Sequence, residues 1–194
     1  MKREIVHQEK GKRIKDKGLV FLLSTFYFLL STISFATTYK LLTLEDIIDK
    51  TEIAFYGEVT AVEVEAREGE PWTVVSFNVT DSLAMPDGVL DEESEGLELA
   101  FYGGDLSSGQ SLKVSLMPQF SVGESVLVMA YNRGLYSPIV GFRQGLWRDT
   151  TLGLRSETGE FLGVNETGGL IQGEDAANNE AVFEAIKTAL EGAE

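Results

Sequence analysis

The sequence predicts a mainly β domain, an antiparallel barrel with a short helix before it and another after it. Several segments between residues 52 and 117 alternate apolar and polar residues with a period of two, which gives a strand one buried face and one wet face. The first such stretch is long and contains Gly57, and a glycine inside a long strand often marks a bulge or bend. We therefore expect a small Greek-key barrel of the OB type, whose first strand serves both halves, with a β-sandwich as the alternative.

The two helices are predicted from their ends. Thr43 is a suitable N-cap, and Asp46 follows three residues later, where a capping box places an acid. "LEDIIDK" then gives a short apolar face, which should plug one end of the core. Near the other terminus, "DAANNEAVFEAIKTALEG", residues 175–192, has apolar residues at helical spacing and ends on Gly192.

The strands follow one another between these helices. "EIAFYGEVTAVEVEAR" and "WTVVSFNVTDSL" should pair as an antiparallel hairpin across the turn "REGEP". In the loop "PQFSVGE" we expect Phe120 and Val122 to point inward, and residues 150–172 give only weak hairpin signals. The strands are predicted at 52–67, 72–83, 97–104, 111–117 and 125–132 and in "IVGF" and "GLWRD", which would be the last strands of the body.

The N-terminal residues resemble a targeting segment. "MKREIVHQEKGKRIKDK" holds seven Lys/Arg and three acids, and the next 19 residues carry no charge and end in Ser34-Phe35-Ala36. This pattern is typical of a secretory signal peptide, and an uncleaved membrane anchor is the alternative. We predict an exported protein (periplasmic, cell-envelope or extracellular) that touches a membrane only through this segment. The predicted parts are a signal peptide at 1–36, a β-barrel domain at 37–172 and a C-terminal helix at 173–194.

The charge balance argues against some partners. From residue 37 onward, nine Lys/Arg stand against 28 Asp/Glu, a formal charge of −19. Such a surface repels nucleic acid and anionic lipid and favours cations or a basic partner. The acid-rich segment "DGVLDEESEG", residues 87–96, lacks the residue order of a calcium loop, so we expect a solvated hairpin loop.

The residues that most catalytic sites need are missing from the predicted mature chain. Its sequence has no cysteine, and the single histidine, His7, lies in the leader. This excludes a Ser-His-Asp triad, a Cys-His pair and a His-ligated metal site, and no glycine-rich nucleotide motif is present. We expect no catalytic residue, no metal and no cofactor. A small carboxylate-dependent hydrolase stays open, because a glycosidase needs only two acids in a cleft.

Three motifs resemble a known pattern: Gly57-Glu58-Val59 after the first helix, "PQFSVGE" at 118–124, and "GFRQG" at 141–145. A similar arrangement occurs in a group of exported prokaryotic proteins of uncharacterised function, and the match covers about residues 41–148. Such proteins are often encoded near matrixin-type metalloproteases, and their layout is similar to the OB-like inhibitory domain of tissue metalloprotease inhibitors. The resemblance implies an inhibitor or accessory partner of a secreted metalloprotease.

This sequence departs from those inhibitors at its N-terminus. They use a disulfide-anchored N-terminal cysteine to reach the protease zinc, whereas cleavage after Ala36 would leave Thr37 first. A free α-amine, such as Thr37 would then carry, is able to ligate zinc when it is deprotonated.

The main functional hypothesis is a non-catalytic exported binding module that presents a barrel face and loops to a protein partner. "GFRQGLWR", residues 141–148, carries residue types that are enriched in interface hot spots. The alternative interpretation puts Trp147 in the core and pairs the arginines with nearby acids; Tyr136 has the same two alternatives. The candidate binding residues are Arg143, Trp147, Arg148, Tyr136 and Thr37.

Overall fold

A computed structural model describes residues 40–90 and 96–193. The predicted signal peptide at 1–36, the candidate residue Thr37 and half of the acidic loop at 87–96 lie outside these residues. The helices are α1 (Leu44–Asp49) and α2 (Asn179–Glu191). The strands are β1 (Ile53–Arg67), β2 (Glu70–Ala84), β3 (Gly96–Tyr102), β4 (Gly104–Asp105), β5 (Ser111–Leu112), β6 (Ser125–Ala130), β7 (Leu146–Thr150), β8 (Gly153–Ser156), β9 (Phe161–Val164) and β10 (Leu170–Gly173).

Eight of these strands form one antiparallel sheet in the order β10-β9-β8-β7-β6-β1-β2-β3, and β4 pairs with β5 separately. The fold is therefore mainly β with a helix near each end of the described chain, as the sequence predicts. Among the described strands, β3 and β10 are the two edges of the large sheet. Between residues 40 and 90 and between 96 and 193, no helix is both long and apolar enough to cross a membrane.

Both helices begin at a side-chain cap. The Thr43 hydroxyl accepts a hydrogen bond from the Asp46 backbone N–H, and the Asp46 carboxylate accepts one from the Thr43 backbone N–H. This confirms the predicted capping box. Helix α2 begins after Asn178, whose side chain accepts from the N–H of Ala181, so it starts four residues later than predicted.

Strands β1 and β2 form the long hairpin that the sequence predicts, and their pairing shifts register at three places. One shift falls between Tyr56 and Gly57, which confirms the predicted bulge. A Cβ at Gly57 would press into the Asn78 carbonyl oxygen, so the close approach of the two strands requires glycine there. Bulges bend a strand and increase its twist. The hairpin pairs with β6 through β1 and with β3 through β2.

The sheet has a hydrophobic core on each face. The loop-covered core, on which Met117 and Phe120 pack, consists of Ile53, Phe55, Val59, Val75, Phe77, Val79, Leu97, Leu99, Phe101, Val126, Val128, Ala130, Ile139 and Leu146. The helix-covered core, on which α1 and α2 lie, consists of Ile47, Ala54, Leu83, Leu127, Met129, Val140, Trp147, Leu154, Leu162, Val182, Phe183 and Ile186. Neighbouring residues of β6 alternate between the two cores, which explains why this strand reads as almost continuously apolar.

Two predicted strands are wrong. In place of 111–117 only Ser111–Leu112 is a strand, and Leu116 has a φ of 68°, which breaks the extended conformation. "IVGF" forms a turn: Ile139 makes an isolated bridge to Ala130, and Phe142 has a φ of 66°. An alternating sequence pattern does not reveal a residue with left-handed backbone conformation, because the surrounding structure can hold a residue of any type in that conformation.

Two further expectations also fail: that Val122 points inward, and that "GLWRD" is among the last strands of the body. Phe120 packs on the loop-covered core as predicted, but Val122 is 66% exposed at the tip of its turn. Residues 150–172, which give weak signals in sequence, contain β8, β9 and most of β10. Strand β7 is therefore followed by further strands on its outer side instead of closing the sheet.

Candidate binding surface

The two arginines of "GFRQGLWR" are held by acids. Arg143 pairs with Glu157 at 2.8 Å, and Arg148 pairs with Glu124 at 2.5 Å. Arg148 also donates to the carbonyl of Gln119 at 2.6 Å. The Arg148 guanidinium thus ties the "PQFSVGE" loop to β7, and both arginines have a structural partner within the chain.

Trp147 lies in the helix-covered core with no accessible surface. Its indole N–H has no acceptor among the described residues. A side chain without accessible surface does not contact a partner, so Trp147, predicted as a binding residue, is a core residue in the structure. With the paired arginines, this is the arrangement that the alternative interpretation describes.

Tyr136 belongs to a group of three rings that we call the aromatic cluster, formed by Trp72, Tyr102 and Tyr136. The ring centroids of Trp72 and Tyr102 are 5.2 Å apart, those of Tyr102 and Tyr136 are 4.6 Å apart, and those of Trp72 and Tyr136 are 6.2 Å apart. These distances fall in the range of favourable aromatic pairs.

The aromatic cluster forms where an edge of the sheet meets a loop. Trp72 lies near the start of β2, Tyr102 is the last residue of β3, and Tyr136 lies between β6 and β7. The backbone N–H of Tyr102 donates to the carbonyl of Tyr136 at 2.8 Å. This bond holds the backbone of Tyr136 against the β3 edge, where its ring lies 4.6 Å from that of Tyr102.

The rings keep a large accessible surface although they contact one another. Tyr136 is 62% exposed and its neighbour Leu135 is 39% exposed, while Trp72 and Tyr102 are half-buried. An exposed ring held by two other rings loses little conformational freedom on binding, which is the property that makes tyrosine frequent in binding surfaces.

Charged side chains surround the aromatic cluster. The Arg67 guanidinium lies over the Trp72 ring, 5.8 Å from its centroid, and pairs with Glu65 at 2.5 Å. The pKa of the Tyr102 hydroxyl is raised, first by burial and then by the negative charge of Glu70, to which the hydroxyl also hydrogen-bonds. The hairpin end next to the rings is thus dominated by carboxylates.

A cavity of about 380 Å³ lies beside the aromatic cluster. Tyr102 is in its wall, and its lining includes Phe101, Met117 and Phe120 from the loop-covered core or packed on it. Of the described residues that line it, Asp105 is the one acid. A carboxylate-dependent hydrolase needs two acids facing one cleft, and this cavity supplies one.

Gln144 of the "GFRQG" motif hydrogen-bonds to the backbone of residues 40–42. The Gln144 side chain accepts from the N–H of Leu42 at 2.7 Å and donates to the carbonyl of Lys40 at 3.0 Å. Its amide therefore pairs with the backbone of residues 40–42 as a neighbouring strand would. The loop that includes Tyr136 is close by, since Ser137 donates to the carbonyl of Phe142 at 2.6 Å.

A separate polar group fastens α2 to the sheet. The Tyr56 hydroxyl donates to Asp149 at 2.5 Å, and the side chain of Asn179 donates to the same carboxylate at 3.1 Å. Burial and the Asp149 carboxylate raise the pKa of Tyr56 to about 12. The hydroxyl stays protonated as a donor, so this group is structural.

Sequence reasoning singled out Tyr136 but not Trp72 or Tyr102 as a site residue. Trp72 begins the predicted strand "WTVVSFNVTDSL", and its place beside the "REGEP" turn is the signal that it lies at a strand end. Tyr102 ends a strand in the same way. Nothing in the spacing of the three residues shows that they meet.

Neither a metal site among the described residues nor a similar protein points to a function for this surface. Within residues 40–90 and 96–193, no group of three or more acidic, histidine or cysteine side chains is arranged to hold a metal ion. No protein-family model matches the chain, and a search of the curated proteins finds no similar one.

Proposed function

We propose that this protein is an exported, non-catalytic binding module that presents the aromatic cluster and the neighbouring loops to a protein partner. The observation that carries the proposal is a packed group of three aromatic rings with one ring 62% exposed. Tyrosine and tryptophan dominate interface hot spots, and hot-spot residues sit in well-packed groups. The cavity beside Tyr102 offers room for a side chain of the partner.

We propose further that β1, β2, β3 and β6 form a small OB-like barrel around the loop-covered core. The three register shifts in β1 support strong curvature, since bulges bend and twist a strand. The hydrogen bond between Tyr102 and Tyr136 supports the same proposal, because it joins the β3 edge to the loop after β6. Membership of the exported prokaryotic group, suggested by the three motifs, is part of this proposal.

A second candidate function is inhibition or assistance of a secreted metalloprotease. One observation favours it: Gln144 holds residues 40–42 through two backbone hydrogen bonds, close after the predicted N-terminus at Thr37. An inhibitor that used the Thr37 α-amine as a zinc ligand would need its N-terminal segment fixed in this way.

Site-specific cross-linking in cells of the native host tests the main proposal. A benzoylphenylalanine replaces Tyr136 in one variant and Leu152 in the control, since Leu152 is 72% exposed and lies on the β7–β8 turn. We expect one discrete protein adduct through position 136 and none through position 152. Equal labelling at both positions, or no adduct at either, would show that the aromatic cluster is not a binding surface.

The second candidate is tested with a matrixin-type protease and two forms of the protein. One form begins at Thr37, and the other keeps an acetyl group on that α-amine. Inhibition by the free form alone would support the zinc-ligating N-terminus. Equal inhibition by both forms, or inhibition by neither, would contradict it.

A further inference from the structure

The aromatic cluster already holds a cation of its own chain. The Arg67 guanidinium lies over the Trp72 ring at 5.8 Å from the centroid. A ring face attracts a cation because its quadrupole places negative charge above and below the ring. Tyr136 is 62% exposed, and no cation from residues 40–90 or 96–193 lies over its ring.

The charges around the aromatic cluster favour a positive group. The hairpin end that carries Trp72 holds Glu63, Glu65, Glu68 and Glu70 against the single cation Arg67. Arg133, the cation nearest to Tyr136 in sequence, lies over a different ring, that of Tyr131, at 4.7 Å. The field at these rings therefore attracts cations and repels anions.

We propose that the aromatic cluster binds a lysine or arginine side chain of the protein partner, with the cation against the ring of Tyr136 and the acids of the hairpin around it. This inference rests on the proposed function and names the chemistry of the partner. Ring quadrupole and carboxylates act in the same direction on such a group, whereas a neutral apolar side chain would gain from the rings alone. An acidic side chain would be repelled.

The test uses three short peptides and the whole protein labelled with ¹⁵N. Acetyl-Gly-Lys-Gly-amide and acetyl-Gly-Arg-Gly-amide carry the cation, and acetyl-Gly-norleucine-Gly-amide has nearly the shape of the lysine peptide without its charge. We expect the two cationic peptides to shift the indole signal of Trp72 and the amide signal of Tyr136, with a Kd on the order of 1–10 mM. The norleucine peptide should leave both signals in place.

Matched variants separate binding at the rings from attraction to an acidic protein. Tyr136→Ala should weaken binding of the lysine peptide about twofold to fivefold, the size of one exposed cation–ring interaction, while Leu152→Ala leaves it unchanged. Glu70→Gln, which keeps a side chain able to hydrogen-bond Tyr102, should weaken it about twofold to fivefold. Glu174→Gln removes the same charge elsewhere and should have no effect.

Three outcomes would overturn the inference: equal shifts with lysine and norleucine peptides, shifts spread over the acidic surface and indifferent to Tyr136→Ala, or no shift at all. In each case the cross-linking result at position 136 tests the proposed function independently of the peptide result. An adduct there with a failed peptide test leaves a binding module whose partner presents no cation. Failure of both would remove the proposed function together with the inference.

Discussion

Strand β7 and the aromatic cluster make opposite use of similar residue types. Around β7, Trp147 is fully buried and Arg143 and Arg148 pair with acids of the same chain. In the aromatic cluster, Tyr136 is mostly exposed and Trp72 is half-buried. Residue type therefore determines which interactions a side chain is able to make, while its place in the sheet determines whether a partner has access to it.

The position of each region in the sheet explains the difference. Strand β7 lies between β6 and β8, and its first two residues, Leu146 and Trp147, are buried in the cores on opposite faces of the sheet. Strand β3 is a sheet edge, and the aromatic cluster forms where that edge meets a loop. The sequence predicts "GLWRD" as a last strand, because the strands β8 to β10 that follow it have weak patterns. That error made Trp147 and Arg148, which lie on β7, look like residues of an outer strand.

The largest expected effect is on the buried side of this comparison. Trp147→Ala should lower the free energy of unfolding by about 3–5 kcal/mol, because it leaves a large cavity in the helix-covered core. Trp147→Phe should cost much less, since it keeps most of the volume and removes an indole N–H that has no acceptor among the described residues. Urea denaturation measures both. A loss below about 1 kcal/mol for Trp147→Ala would contradict the core assignment.

Arg148 should give the next largest effect. Arg148→Gln removes the ion pair with Glu124 and the bond to the Gln119 carbonyl, and we expect a loss of roughly 1–2 kcal/mol. Hydrogen exchange at the Gly123 amide, which bonds to Val59 of β1, should become faster because the loop is no longer held. Arg155→Gln is the matched control, since Arg155 hydrogen-bonds to Gly159 and lies over the Phe161 ring, both within the β8–β9 hairpin. Equal effects of the two changes would show that Arg148 does not hold the loop.

Much of the fold is predictable from local patterns. The β1–β2 hairpin, the bulge at Gly57 and the capping box at Thr43 follow from alternation, glycine and cap chemistry, all of which act between near neighbours. The aromatic cluster is not predictable in this way, because its three rings come from segments 30 or more residues apart in sequence. Its assembly depends on how the β1–β2 hairpin curls and on the loop after β6.

Gln144 should have a smaller effect that is local to the N-terminal segment. Gln144→Leu removes both hydrogen bonds to residues 40–42, and we expect a loss of about 1 kcal/mol. The bond after Lys40 should then be cut faster by trypsin, as followed by mass spectrometry. Gln172→Leu, a change on β10, should leave this cleavage rate unchanged. An unchanged rate in Gln144→Leu would remove the observation that favours the second candidate function.

Asp46 should give a small effect that depends on pH. Its hydrogen bonds, first to Lys50 and then to Thr43, lower its pKa from the ordinary 3.8 to about 2. A lowered pKa means that the charged form stabilises the folded state above pH 3.8, and this contribution is lost as the pH falls through about 2. Asp46→Asn should therefore be less stable than the natural protein at neutral pH, with the difference vanishing in acid. A difference that is constant from neutral pH to pH 2 would contradict the role of this charge in the capping box.

The central claim is that Tyr136 serves binding and not stability. The most direct test is the affinity of the partner captured through position 136 for the Tyr136→Ala variant, measured by calorimetry beside the free energy of unfolding. We predict binding at least about tenfold weaker, with stability within about 0.5 kcal/mol of the natural protein. Unchanged affinity, or a loss of stability large enough to account for the weaker binding, would contradict the claim.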